Sequence, residues 1–149
     1  MDKLDYDILQ IVQNNSRLTA EVISQQVNLS PAAVQKRLKR LRDNGVIEKE
    51  VAVLSAKHLE RNLTIIVNVV IERESTSSLD RFKLKMLEEA CVQQCYYITG
   101  ESAFVLIILG RDIEEYERFT QKYFFAESNV VRFNTMVVMK RIKVSLNVI

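Results

Sequence analysis

The stretch ITGESAF, residues 98–104, sets a glycine, a carboxylate and a hydroxyl side by side just ahead of the apolar run VLIILG. A serine so placed invites comparison with the nucleophile elbow of hydrolases, G-x-S-x-G on a strand-to-helix turn, whose acid and histidine follow the serine in the chain. Three features exclude that chemistry. Phe104 stands where the second glycine is needed, a strand-like run follows instead of a helix, and the sole histidine, His58, precedes Ser102. Metal chemistry is excluded in the same way: Cys91 and Cys95 form a C-x3-C pair with no histidine beside it, short of the tetrahedral set of N and S ligands that zinc requires. The cysteines read as partly buried thiols and His58 as a surface or linker residue, so neither catalytic nor metal-ligating residues are expected. What remains for this stretch is a binding loop without chemistry, in which glycine lets a ligand approach the main chain closely, or a plain hairpin turn at Gly100.

A second group of residues carries more chemistry. Net charge is only +2, yet KRLKRLR, residues 36–42, holds Lys36, Arg37, Lys39, Arg40 and Arg42 with no acid among them. Concentrated cations of this kind suit phosphate neutralisation. The elements around them decide whether they form one face. LDYDILQIVQNN places Leu4, Ile8, Ile11 and Val12 on one side of a first helix, with Asp5 and Asp7 near its positive N-terminal turn. A second, short helix follows in TAEVISQQV, with Thr19 as its cap and Val22, Ile23 and Val27 inward. The third helix begins with Ser30 as N-cap and Pro31 at its first position, and stops at Gly45.

At about 100° per residue, Val34, Leu38 and Leu41 share a narrow sector of this third helix, while Ala32, Lys36, Lys39 and Arg40 lie around the opposite side. Arg37 falls beside the apolar stripe, where it either braces the domain or reaches a phosphate sideways. A short helix, a tight turn at Asn28 and a basic third helix make a helix-turn-helix, whose last helix enters the major groove of DNA. Ala32 and Ala33, near its start, let the backbone approach base edges; Gln35 or Lys36 can read bases, and Lys36, Lys39 and Arg40 can neutralise phosphates. The DNA-facing set is therefore Ser30, Ala32, Ala33, Gln35, Lys36, Arg37, Lys39 and Arg40.

Past Gly45 the periodicity changes. GVIEKEVAVLS alternates as a strand would, and residues 55–62 are a polar connection. From Leu63, LTIIVNVVIERE reads as a strand and SLDRFKLKMLEEA as a helix with Leu79, Phe82, Met86 and Leu87 inward. VQQCYYITG and SAFVLIILG are two strands meeting near Gly100. DIEEYERFTQKYFF is a helix capped by Asp112 and burying Ile113, Tyr116, Phe119 and Tyr123, and VVRFNTMVVMKRIKV is a last strand, with Arg132, Asn134 and Lys140 partly marking its outer face. The order β-α-β-β-α-β is the ferredoxin-like split unit. Its helices cover one face of the sheet, and the other face needs a partner.

The expected fold is therefore α+β: an N-terminal winged helix-turn-helix-like three-helix domain over residues 1–50, a strand and linker over 51–62, and a C-terminal ferredoxin-like domain over 63–149. A chain of 149 residues, 48% hydrophobic and 27% charged, is globular rather than disordered. Its longest apolar runs are far shorter than the roughly 20 residues of a membrane span, and MDKLDYDILQ lacks the basic start and apolar core of a secretory signal. A soluble, cytoplasmic protein is expected.

Over nearly its full length the chain resembles the Lrp/AsnC, or feast/famine, family of transcription regulators. The matching segments are LDYDILQIVQNNSR, LSPAAVQKRLKRLRDNGVI, CYYITGE, YERF and TMVVMKRIK, in that order and at these distances. The resemblance implies a regulator with no enzymatic activity, whose DNA-binding domain is joined to an amino-acid-binding domain that assembles dimers, often four to an octamer, with the effector between dimers. By position it assigns the family's glycine-acid loop to Gly100 and Glu101, followed by Ser102. Ala103 stands where an aspartate associated with the effector is common in the family. Asn134 and Met136 fall on the last strand, where family pockets receive residues from a neighbouring subunit. Met136 suits an apolar, unbranched side chain, and the expected effector is leucine or methionine. The alternative reading from another functional class is an amino-acid sensor that acts through protein partners without touching DNA.

Overall fold

The computed structural model describes residues 1–72, 76–127 and 129–149, which fall into two compact units: Met1–Val53 with Lys143–Ile149, and Leu54–Ile142. The first unit holds three helices, α1 (Lys3–Val12), α2 (Ala20–Val27) and α3 (Pro31–Asp43). Each starts on a polar side chain that accepts a hydrogen bond from a backbone N–H otherwise left without a partner: Asp2, Thr19 and Ser30 respectively. Ile8, Ala20, Ile23, Val27, Val34 and Leu38 form the core of this unit, with Ile47 packed against it.

The end of α3 explains why the chain leaves the helix where it does. Gly45 adopts a φ of +70°, and Val46 N–H then reaches back to the carbonyl of Leu41 at 2.9 Å while Gly45 N–H bonds that of Arg42. This left-handed cap satisfies carbonyls the helix would otherwise leave open. Beyond it the expected strand is absent: residues 46–55 have no assigned strand, and Val51 and Val53 are exposed. Alternation alone does not make a strand, since the ladder needs an edge to pair with and none is supplied within the described residues. A turn follows in the polar connection, where Arg61 N–H bonds the carbonyl of Ala56.

The second unit is built on β1 (Leu63–Ile71), α4 (Thr76–Glu88), β2 (Val92–Tyr97), β3 (Phe104–Gly110), α5 (Ile113–Thr120) and β4 (Val130–Val137). Residues 73 and 74 of the expected first strand lie outside the described residues. All strand pairs are antiparallel in the order β2-β3-β1-β4, which is the ferredoxin-like arrangement the element order implied. Strand period decides the two faces. Ile65, Val67 and Val69 of β1 and Phe104, Leu106 and Ile108 of β3 point into a core shared with Phe82 and Met86 of α4 and with Tyr116 and Phe119 of α5. The opposite face carries Ile66, Val70, Val105, Ile107 and Leu109, all half-buried, and Met136, which is 40% exposed.

Several side chains expected inward face out. Val22, Leu87 and Ile113 are all exposed, Leu87 at 80%. The buried face of α2 runs through Ala20, Ile23, Ser24 and Val27, which leaves Val22 about 100° off that stripe. Leu87 likewise lies off the line of Phe82 and Met86, and Ile113 stands in the first turn of α5. The helix expected to run through DIEEYERFTQKYFF changes pitch: after Thr120 a π-helical segment, Gln121–Phe125, turns both Tyr123 and Phe124 inward and leaves Phe125 out. The last strand ends at Val137, so Lys140 lies beyond it.

Phe104 is fully buried and its ring sits 4.8 Å from that of Phe82 and 5.2 Å from that of Tyr97. Phe104→Ala is expected to cost the sheet unit about 4 kcal/mol through lost burial and a residual cavity, measured as a lower denaturant midpoint.

Candidate functional site

α2 and α3 are joined by Asn28, Leu29 and Ser30. Asn28 closes α2 in the left-handed region, φ 52°, a conformation asparagine tolerates better than most residues. The Ser30 hydroxyl accepts the Ala33 N–H at 3.2 Å, and Pro31 occupies the first turn where no N–H is needed. These local choices set the angle at which α3 leaves α2. Val34, Leu38 and Leu41 are buried, as their spacing predicts, and Ala32, Gln35, Lys36 and Lys39 are exposed, with Ala33 half-buried.

The arginines behave differently from the lysines. Arg37 Nη1 lies 2.8 Å from the Asp2 carboxylate and 2.7 Å from that of Asp5, and Arg40 Nη2 lies 2.7 Å from both Asp5 oxygens. Asp5 is itself fully buried. It also accepts the Asp2 N–H at 3.0 Å while Asp2 accepts the Asp5 N–H at 2.9 Å, a reciprocal cap on α1. Arg37 therefore braces the domain, one of the two roles its position allowed. Arg40 faces outward as its spacing predicts, its side chain 52% exposed, but its charge is paired: the basic run has no acid of its own, and α1 supplies one across more than thirty residues of chain. Arg42 is tied in turn to Glu50 at 3.0 Å. Lys36 and Lys39 make no ion pair with any described residue, so the free positive charge of α3 is theirs.

Electrostatics within this network follow from its geometry. Burial pushes the Asp5 carboxyl up, but the Asp2 N–H and the Arg37 and Arg40 guanidinium groups outweigh burial and hold it below its ordinary value. The hydrogen bond from Arg37 lowers Asp2 and, reciprocally, the two carboxylates raise Arg37. Asp2 and Asp5 position α3 through this network, a role that a charge suited to a helix N-terminus does not by itself reveal. A D-x-x-D pair at a helix start was the available signal.

The proposed effector residues are not gathered into one cavity among the described residues. Gly100 (φ +115°) and Glu101 are exposed at the β2–β3 hairpin, and Ser102 is half-buried. Ala103 turns inward: it is 3% exposed, its N–H bonds the Val69 carbonyl at 2.8 Å, and its carbonyl accepts the Ile98 N–H at 2.9 Å. It therefore anchors the hairpin to the core through both its N–H and its carbonyl. Asn134 and Met136 lie on the open sheet face, in register with Asn68 and Ile66 of β1. Since β1 separates β4 from β3, these two sets of residues stand apart within a single chain. His58 bonds Ser55 through Nδ1 at 2.7 Å in the linker turn. Burial pushes the Cys91 thiol up to about 12, which removes the thiolate that redox or metal chemistry needs.

Asp5→Asn is expected to lower the stability of the helical unit by roughly 2 kcal/mol, the half-exposed Arg40 limiting the cost of breaking the network, as read from helical circular dichroism in urea. A carboxyl held below its ordinary value contributes fully above that value, here 3.8, and loses its contribution as pH falls through the lowered one. The natural chain should therefore lose stability more steeply below pH 3.8 than the Asp5→Asn variant.

Comparison with known proteins agrees with this arrangement. Residues 1–48 match the winged helix-turn-helix DNA-binding family and residues 64–148 match the Lrp/AsnC ligand binding domain. An HTH-type transcriptional regulator of Sinorhizobium fredii is 45% identical over 99% of this chain and 88% of its own length. The leucine-responsive regulatory protein of Escherichia coli is 25% identical over 97% of the chain and 88% of its own. Among solved structures, a transcriptional regulator of Neisseria meningitidis in complex with L-methionine superposes with a TM-score of 0.93 at 29% identity, covering 99% of this chain and 96% of that one. These relatives are regulators, not enzymes. With a helix-turn-helix at its start and the ligand-binding domain filling most of the remainder, the chain belongs to the Lrp/AsnC family of DNA-binding transcription regulators.

Proposed function

We propose that this regulator reads DNA through the outer face of α3 and adjusts its assembly or its DNA affinity in response to a small apolar amino acid, leucine or methionine. The observation that carries the DNA half of this reading is the division of α3: its apolar stripe is buried, while Ala32, Gln35, Lys36 and Lys39 stand exposed on the same helix. Small residues near the helix start permit close approach to base edges, and the two lysines without partners supply phosphate contacts. Ser30, as the cap, presents the first turn, and Arg37 and Arg40 hold the helix at its angle. In two copies, α3 would enter successive major grooves about one helical turn apart.

The open sheet face supports a dimer. The sheet face that carries Ile66, Val70, Val105, Ile107, Leu109 and Met136, opposite the face on which α4 and α5 of the same unit pack, is one that a second copy of itself can cover. Four such dimers would make the octamer. Gly100, Glu101 and Ser102 of one copy, with Asn134 and Met136 of another, would then hold the effector's polar groups and its side chain. The methionine complex of the Neisseria relative supports the choice of ligand class. Such a protein works in the cytoplasm, where its DNA is; among the described residues no helix is long and apolar enough to cross a membrane.

Binding to random genomic duplex at rising salt tests the DNA half. Lys36→Ala and Lys39→Ala should each flatten the slope of log K against log salt by about one unit, and Arg40→Ala by less because Asp5 already holds that charge. Unchanged slopes for both lysines would remove α3 from the phosphate contacts and favour a sensor acting through protein partners. Thermal denaturation with a panel of amino acids tests the other half: a ligand at a hundred times its Kd stabilises the folded state by about 2.7 kcal/mol. Leucine or methionine should give the largest rise in Tm, and a larger rise with charged amino acids contradicts the assigned pocket.

A further inference from the structure

The segment Lys143–Ile149 follows the sheet unit in the chain yet belongs to the helical unit, so the chain crosses between the units twice, once after Val53 and again after Ile142. The second crossing ends in a specific grip. Gln13, which caps α1 at its C-terminal end, uses both halves of its side-chain amide on the peptide backbone of this tail. Its Oε1 accepts the Val148 N–H at 3.1 Å and the Ile149 N–H at 3.3 Å, and its Nε2 donates to the Ile149 carbonyl. The neighbouring Asn14 accepts from the Asn147 side chain at 2.8 Å. Ile149 also lines the cleft formed by Tyr6, Leu9, Val12 and Ile47.

Among the described residues, little else holds this segment. Ile142, Val144, Leu146 and Val148 are 73–91% exposed and only Ile149, 47% exposed, is partly covered, so the grip rests mainly on a few solvent-accessible hydrogen bonds. Contacts of this kind open and close readily, because each is worth little net against water. The other end of the same helix carries Asp2 and Asp5, which fasten Arg37 and Arg40 of α3. α1 spans about 15 Å between these two ends, and it is gripped by the tail at one and by the DNA-reading helix at the other.

We infer that residues 147–149 form a reversible strap and that α1 is the lever through which the ligand-binding unit biases the setting of α3. The inference rests on the proposed function for the signal it transmits, while the strap itself stands on the Gln13 contacts. A strap that is engaged in one ligand state and free in the other contributes a coupling free energy between the two sites, and that coupling must act in both directions. Gln13 is thus a positioning residue that touches neither DNA nor ligand.

The test uses full-length protein, L-methionine and a random-sequence duplex, with Gln13→Ala and Gln13→Glu as variants. Hydrogen exchange of peptide 143–149 should be about tenfold faster in Gln13→Ala, where both amides lose their acceptor, and intermediate in Gln13→Glu, which keeps the acceptor and loses the donor. The methionine-dependent shift in duplex Kd should fall to less than twofold in Gln13→Ala, with Tm unchanged. Equal exchange in Gln13→Ala and the natural chain, or a full methionine shift in that variant, overturns the strap. If methionine leaves the natural chain's DNA affinity unchanged, the effector assignment fails on its own. The strap is then judged by whether duplex binding alters exchange of 143–149 in the natural chain, and no alteration overturns it.

Discussion

A buried carboxylate, Asp5, sets the terms for the DNA-reading unit. With essentially no solvent of its own, it is stable as an anion only because Arg37, Arg40 and the Asp2 N–H surround it. The same contacts lock α3 to the start of α1, so the angle of the reading helix is held by charge-assisted hydrogen bonds as well as by the apolar packing of Val34 and Leu38. Two arginines that would otherwise compete for phosphate are committed to architecture. The lysines left over, Lys36 and Lys39, are compact charges on flexible stems, suited to following a phosphate backbone without demanding one geometry.

The sheet unit is organised by a different constraint. Strands alternate faces and helices cover only one of them, so Ile65, Val67, Leu106 and Ile108 are sealed in while Ile66, Ile107 and Leu109 are left at an open surface. Within one chain, β1 separates the hairpin around Gly100 from the strand that bears Asn134 and Met136. Ala103 marks the inner limit of that hairpin, where the backbone is already committed to Ile98 and Val69.

The tail that follows β4 returns to α1, and α1 also carries the carboxylates that hold α3. α1 thus has a polar fastening at each end, the Gln13 contacts at one and the Asp2 and Asp5 network at the other.

Local rules in the sequence determined the three helices of the first unit, the Thr19 and Ser30 caps of α2 and α3, the Asp112 cap of α5, the Gly45 stop, the β-α-β-β-α-β order and the buried stripe of α3. All depend on residues within a turn or a strand of one another, where periodicity and backbone preference act directly. Tertiary structure alone decided that Arg40 is paired, that Asp2 and Asp5 are its unit's electrostatic centre, that Ala103 faces inward, that Val51 and Val53 form no strand, and that residues 143–149 return to α1. Each of these depends on groups brought together from distant parts of the chain, or on the lack of a pairing edge. Neither is written in the spacing of a short segment, because an ion pair or a ladder is a property of two segments and of the fold that brings them together.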